Sequence, residues 1–385
     1  MFGKILTNPL VLNLGLISFF ADIASEMLYP VTPIFLTTVL GSSMTYVGVI
    51  EGVAELISSL LKTYSGFWSD KIFRRKPFII IGYSLSAIAK PLTGLAYSWQ
   101  GVLFARGLDR TGKGLRTAPR DALLADSVPL EKRGEAFGWH RFMDTMGAVL
   151  GPLLAIFLIS FYENDLRKIF LWSILPGIFS LIFVMRLKEA DSLAPPKKLE
   201  RFGWNHFSGD FKTFIFAWTI FSLGNSSDVF LLMRVKASGH STTSVILLYC
   251  LYNLSYALLS PYFGTLSDKV GQKKCLIIGL GLFSIVYGGF IFATSIIHFL
   301  FLFILYGLFM ASTEGIGKAY TVGLVSPERK ASAVGVLGTL TGISALMASI
   351  GAGVLWDNYS QFAPFVLGMT SSLIACGILI FVKKK

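Results

Sequence analysis

Charge is what this chain has least of. Only 15% of its 385 residues are Asp, Glu, Lys or Arg, against 54% apolar, and mean hydropathy is +0.66. A soluble domain of this length needs far more polar surface to cover its core, so a soluble globule is excluded. Cysteine is also scarce. Cys250, Cys275 and Cys376 show no metal-ligand spacing and no disulfide framework, and they read as small buried apolar residues. The four histidines, His140, His206, His240 and His298, lie in separate regions, so no metal cage is expected even where His140 neighbours Arg141 and Asp144. Gly107-Leu-Asp-Arg-Thr-Gly112-Lys113-Gly114 has the spacing of a phosphate-binding loop, but it lacks the Ser or Thr that should follow the lysine and lies inside an apolar span. With no nucleophile–base pair, metal set or cofactor loop, neither an enzyme nor a bound cofactor is expected.

What is present is a series of apolar stretches of about 20 residues, the length that crosses a bilayer. They fall near 9–38, 45–68, 77–97, 99–125, 135–160 and 167–187, then 212–236, 243–266, 274–296, 298–324, 332–355 and 361–382. Backbone groups in lipid must be satisfied within their own segment, so each should be a helix. The expected fold is an all-α membrane protein of twelve transmembrane helices. The first stretch is interrupted by Asn13, Asp22 and Glu26, a poor signal peptide, and reads as a retained span.

The formal charge of +12 is arranged by topology rather than as a nucleic-acid footprint. Basic residues gather in alternate connections: 71–76, Lys132 with Arg133, 188–201, 269–274, Arg329 with Lys330, and 383–385. The connections near Gly41, Ser98, Ser295 and Asn358 carry almost none. Basic short loops stay cytoplasmic, which places both termini on that side of a bacterial-type inner membrane.

The chain repeats itself. Gly66-Phe-Trp-Ser-Asp70-Lys71, followed by Arg74, Arg75 and Lys76, returns 198 residues later as Gly264-Thr-Leu-Ser-Asp268-Lys269, followed by Lys273 and Lys274. Pro129 before Lys132-Arg133 matches Pro327 before Arg329-Lys330 at the same offset. Two markers sharing one offset point to a duplicated six-span unit with both copies in one orientation. The expected division is an N-terminal bundle over 1–187, a cytoplasmic linker over 188–211 and a C-terminal bundle over 212–385. Gly66 and Gly264 are expected to let a neighbouring helix approach closely, with Asp70 and Asp268 pairing near helix ends.

Gly-x-x-x-Asp-Lys plus a basic cluster, between the second and third spans of each half, resembles the signature loop of the major facilitator superfamily. The first copy carries Phe73 where the second keeps Gly271. The resemblance covers the whole chain. It implies two six-helix bundles related by pseudo-two-fold symmetry around a central cavity, working by alternating access, with Gly66, Asp70, Lys71, Arg74, Arg75, Gly264, Asp268 and Lys269 latching the cytoplasmic side. Gly147-Ala-Val-Leu-Gly151-Pro152 and Tyr29-Pro-Val-Thr-Pro33 are similar to patterns of its proton-coupled antiporter branch.

Polar groups inside lipid are expensive and mark function. On span 4, Arg106, Asp109, Arg110, Lys113, Arg116 and Arg120 fall within about 120° of one another, a stripe that must face a cavity or an acidic partner. Acids are available on span 1 (Asp22, Glu26) and span 2 (Glu51, Glu55); span 3 adds Lys90, and span 5 adds His140, Arg141 and Asp144. A carboxylate carries a proton when its surroundings change its proton affinity between conformations, and Asp22 and Glu26 suit that role, tuned by Arg106 or Arg110. The competing reading is a fixed ion-pair lattice joining spans 1, 2, 4 and 5. The second half is sparser. Asn225, Asp228, Tyr249, Asn253, Tyr256, Glu314 and Lys318, together with Tyr29, are expected to shape a substrate cavity.

The expected function is a proton-coupled secondary transporter of a small organic solute, leaning to efflux and working as a monomer. The first alternative is a proton-driven importer of a small, possibly anionic solute, since arginine's fork suits carboxylate or phosphate. A non-transporting membrane receptor is the second.

Overall fold

The computed structural model describes residues 8–72, 74–129, 132–187, 207–326 and 329–381. Residues 188–206 of the expected linker, with His206, lie outside the described residues, as do Phe73, Glu131, Pro327, Glu328 and 383–385. Among the described residues there is no strand. Twelve long helical segments follow one another: α1 Pro9–Val39, α2 Met44–Lys71, α3 Lys76–Gly94, α4 Trp99–Asp126, α5 Arg133–Phe161, α6 Leu166–Met185, α7 Gly209–Ala237, α8 Thr242–Val270, α9 Gln272–Phe292, α10 Ile296–Gly323, α11 Lys330–Asn358 and α12 Ala363–Phe381. Ten are long and apolar enough to cross a membrane. The other two are α3, which carries Lys90, and α4, which carries the charged stripe.

Side-chain caps start several of these helices. Asn8 Oδ1 accepts from the Leu10 amide at 3.0 Å ahead of Pro9, and the Ser208, Ser241 and Ser295 hydroxyls accept from the amides of Phe211, Ser244 and His298 at 3.2, 3.1 and 3.4 Å. Large apolar side chains such as Phe104, Phe157, Ile285 and Phe292 point outward and are exposed, as a lipid-facing surface requires.

Three spans expected to be continuous are interrupted. α1 changes from regular helix at Glu26 to tight turns over 27–30, resumes at Val31–Ile34 and ends in a wide turn, Phe35–Val39, closed by the Leu40 amide on the Phe35 carbonyl at 3.1 Å. α6 breaks at Ser173, between Leu166–Trp172 and Ile174–Met185. α7 unwinds over 225–228, between Gly209–Gly224 and Val229–Ala237. The interruptions of α1 and α7 are separated by the same 198 residues as the signature loops.

The described residues form two compact units, one of 8–42 and 53–187, the other of 43–52 and 207–381. In the first, Val11, Leu14, Ile17, Ile79, Tyr83, Leu123, Leu124 and Val184 make an apolar core between α1, α3, α4 and α6. Glycines bring its helices together. A Cβ at Gly82 would stand 2.6 Å from the Gly112 carbonyl, one at Gly147 2.6 Å from the Phe19 carbonyl, and one at Gly151 2.7 Å from the Ile23 carbonyl.

The second unit is packed with rings. Phe283 stacks on Tyr287 with centroids 3.9 Å apart, Phe221 and Phe309 meet Phe283 at 5.0 and 4.9 Å, and Phe290 stacks on Phe365 at 5.5 Å. Buried Arg234 of α7 closes the end of α9: its guanidinium donates to the Phe290 and Ala293 carbonyls at 3.2 and 2.8 Å. Arg167 does the same for α3, donating to the Gly94 and Ala96 carbonyls, both at 2.7 Å. Arg234→Met should leave two carbonyls unmet and lower stability by about 2 kcal/mol, read as a reduced melting temperature of the purified protein. Unchanged melting would show that water replaces the arginine without loss.

Candidate functional site

The interruption of α1 borders a narrow pocket in the first unit, with ≈ 40 Å³ open to the centres of water molecules. Asp22, Ser25, Glu26, Leu28 and Tyr29 of α1 line one side; Lys90 and Thr93 of α3 and Arg106, Asp109, Arg110, Lys113 and Arg116 of α4 line the other. Seven residues of the expected charge network thus meet in one cavity, joined by Tyr29, which had been grouped with the second half. The lining carries five basic side chains and three carboxylates.

The cavity wall is rigidly wired. Lys90 Nζ lies 3.1 Å from Asp109 Oδ1 and also donates to the Ser86 carbonyl at 3.2 Å; Arg106 approaches Asp109 Oδ2 at 4.0 Å. The Ser86 hydroxyl donates to the Asp109 carbonyl at 3.1 Å and accepts from Arg116 at 2.6 Å, while the Arg116 guanidinium lies 4.2 Å over the Tyr83 ring. This is possible because Gly82 and Gly112 let α3 and α4 touch backbone to backbone. Asp109 is therefore committed to its basic neighbours within α3 and α4, whereas Asp22 and Glu26 line the same pocket from α1.

Glu51, Glu55, His140, Arg141 and Asp144 do not line this pocket. His140 Nε2 instead sits 2.8 Å from the Ser18 hydroxyl, and its Nδ1 3.5 Å from Asp144 Oδ2; Arg120 donates to the same Ser18 hydroxyl at 3.0 Å. Among the described residues no group of three or more His, Cys, Asp or Glu could hold a metal ion, and all three cysteines are free.

In the second unit the expected cavity residues separate. Asp228 stands at the α7 break, where its Oδ1 accepts from the Tyr306 hydroxyl at 2.5 Å and its Oδ2 from the Tyr252 hydroxyl at 3.1 Å. Both tyrosines are buried donors that sequence reasoning passed over, although Tyr252 lies three residues from Tyr249, on the same helical face. Asn225 ends the first segment of α7, the Asn253 amide donates to the Tyr249 carbonyl at 3.0 Å, and the Tyr256 hydroxyl donates to Glu314. Glu314 and Lys318 are exposed on α10.

The two signature loops differ. In the first, Arg75 is buried and bridges Asp70, at 3.4 Å, and Asp126 at the end of α4, while a Cβ at Gly66 would lie 3.2 Å from Ala118. At Gly264 the expected close approach does not occur among the described residues, for none of their atoms on neighbouring elements lies within 4 Å of its Cβ position. A crevice of ≈ 710 Å³ of atom-free space opens there instead, lined by Tyr256, Gly264, Asp268, Gln272 and Gly315. Gly271 closes this loop with φ +95°, a conformation that favours glycine. Lys269 lies in the last turn of α8, and Lys71 ends α2; Arg74 lies in the first loop.

Twelve helical segments, ten apolar enough to span, and a charged cavity beside an interrupted helix define a multi-pass membrane transporter. A model of the Major Facilitator Superfamily matches residues 14–251 and 229–385, and the chain belongs to that family, which is not enzymatic. It is similar to an uncharacterized MFS-type transporter of Methanocaldococcus jannaschii, 37% identical over 375 residues covering 96% of this chain and 94% of the relative. It is also similar to Multidrug resistance protein 2 of Bacillus subtilis, at 24% identity over 95% of this chain and 93% of that one. Among solved structures, a mutant of the nucleoside transporter NupG shares the fold, with TM-score 0.81 and 13% identity over 97% of this chain and 100% of that chain.

Proposed function

We propose that this protein exports a small organic solute across a bacterial-type inner membrane by proton-coupled alternating access, as a monomer with both termini cytoplasmic. The bundles over 1–187 and 212–385 are the moving bodies. One observation carries the reading: Asp22 and Glu26 face Arg106, Arg110, Lys113 and Arg116 across a cavity that borders the α1 interruption. Interruptions at corresponding positions of two repeats point to the binding site, and carboxylates on one helix facing cations on another are an arrangement in which proton affinity can change when the helices shift. Export is favoured by the packing of α5 on α1 at Gly147 and Gly151, in the pattern that resembles the antiporter branch, and by the name of the Bacillus subtilis relative.

In proteoliposomes with an imposed pH gradient, Asp22→Asn combined with Glu26→Gln should abolish gradient-driven solute flux while leaving counterflow exchange intact. Full gradient-driven flux in the double variant would remove the proton role. Import of an anionic solute is the second reading, supported by the excess of five basic groups over three acidic ones in the lining. Uptake compared between inside-out and right-side-out vesicles separates the two directions.

A further inference from the structure

The start of α2 is tied to a residue 313 positions further along the chain. The first amides of a helix have no acceptor within it, and here they find one on α11. The Met44 and Thr45 amides donate to Asp357 Oδ1 and Oδ2 at 3.1 and 2.7 Å, and the Thr45 hydroxyl donates to Oδ2 at 2.6 Å. One carboxylate thus takes three donors, at the end of α2 where the helix dipole favours negative charge.

Behind this cap the two helices touch backbone to backbone. A Cβ at Gly353 would stand 2.4 Å from the Met44 carbonyl, one at Gly48 2.1 Å from the Ser349 carbonyl, and one at Gly52 3.0 Å from Leu346 Cα. As the contacts climb α2 from residue 44 to 52 they descend α11 from 353 to 346, an antiparallel seam. The stretch 43–52 accordingly groups with the second unit, whereas the rest of α2 groups with the first. A single helix begins in one compact unit and continues in the other.

The seam is built to part. A buried apolar side chain adds tens of small attractions, which glycine does not supply, and Gly48, Gly52 and Gly353 have no side chains to interlock. Asp357 is exposed at the rim, so water takes its place on the amides when the helices separate. The three hydrogen bonds to Asp357 are the directional contacts that hold the start of α2 on α11.

We propose that Asp357 is a latch: by capping α2 from α11 it keeps the seam closed, and its release opens the α1 pocket to the outer face of the membrane. This role rests on the alternating-access reading above, but it needs neither the proton role of Asp22 and Glu26 nor a particular solute.

The test reads outer access to the pocket as the rate at which a membrane-impermeant maleimide labels Ser25→Cys in right-side-out vesicles, followed by mass spectrometry of the peptide carrying residue 25. Cys250, Cys275 and Cys376 are first replaced by alanine. Asp357→Ala should speed labelling about fivefold, the change in open population that loss of one helix cap brings. Asparagine caps as well as aspartate, so Asp357→Asn should label at the parent rate. Thr45→Cys with Asp357→Cys, oxidised to a disulfide, should stop labelling at residue 25, while Ser25→Cys alone keeps labelling under the same oxidant. Ala375→Cys, 0% exposed in the second unit, should stay unreactive throughout. If it reacts in Asp357→Ala, that variant is unfolding and the disulfide decides alone. Labelling at the parent rate in both Asp357→Ala and the disulfide form overturns the latch and leaves alternating access standing, since the pocket is still reached. No outer labelling in any form overturns alternating access, and the latch with it.

Discussion

Asp109→Asn should lower the stability of the folded protein by about 3–5 kcal/mol, the range for removing one partner from a buried ion pair. The carboxylate has Lys90 at 3.1 Å and Arg106 at 4.0 Å, and all three residues are less than 10% exposed. The neutral amide would leave two cations without their counter-charge at a depth where water does not replace it. The loss should appear as a collapse of the monodisperse peak after mild heating in detergent. Replacing the pair together, as Lys90→Met with Asp109→Leu, should restore part of the stability, because the buried Lys90 charge is then no longer orphaned and only the longer Arg106 contact is lost. A single variant that melts like the parent would show that the pair adds nothing.

The second large effect is expected at Gly147. A Cβ there meets the Phe19 carbonyl at 2.6 Å, Asp22 Cβ at 2.9 Å and the Ile23 amide at 3.2 Å. Two of these three atoms are backbone and cannot swing aside, so Gly147→Val must push α5 away from α1. The expected loss is about 3 kcal/mol, the upper end for overpacked cores. Transport should fail as well, since the displaced stretch of α1 carries Asp22. Gly138 on the same helix is the control. Among the described residues nothing on a neighbouring element lies within 4 Å of its Cβ position, so Gly138→Ala should be neutral or stabilise the helix by about 0.5–1 kcal/mol. Equal behaviour of the two variants would disprove the close-approach role.

The span pattern was legible because lipid imposes a length and a composition on every crossing segment. The charged stripe was legible because 100° per residue converts spacing into a face. The stripe's partners were not, since helical phase says nothing about which neighbour fills a groove. Asp109 thus turned out to pair with Lys90 of α3, a base on a neighbouring helix that helical phase does not reveal. The α7 break was in plain view as Gly224-Asn225-Ser226-Ser227-Asp228, a run of turn formers, but a mean over 20 apolar residues hides four polar ones. Tyr252 and Tyr306 escaped notice because a tyrosine in an apolar span reads as core until a carboxylate is seen against its hydroxyl. Arg167 and Arg234 escaped for a related reason: capping a distant helix end leaves no mark in local sequence.

The unequal signature loops bear on how the protein responds to being squeezed. Close-packed interiors resist compression, and hydrostatic pressure acts on whatever voids they contain. The first loop, with Gly66 against Ala118 and Arg75 bridging two aspartates, has little volume to give up. The crevice beside Gly264 is open to its surroundings, so pressure drives fluid into it rather than closing it, and α8 and α10 should stay apart at Gly264 and Gly315 when the molecule is squeezed.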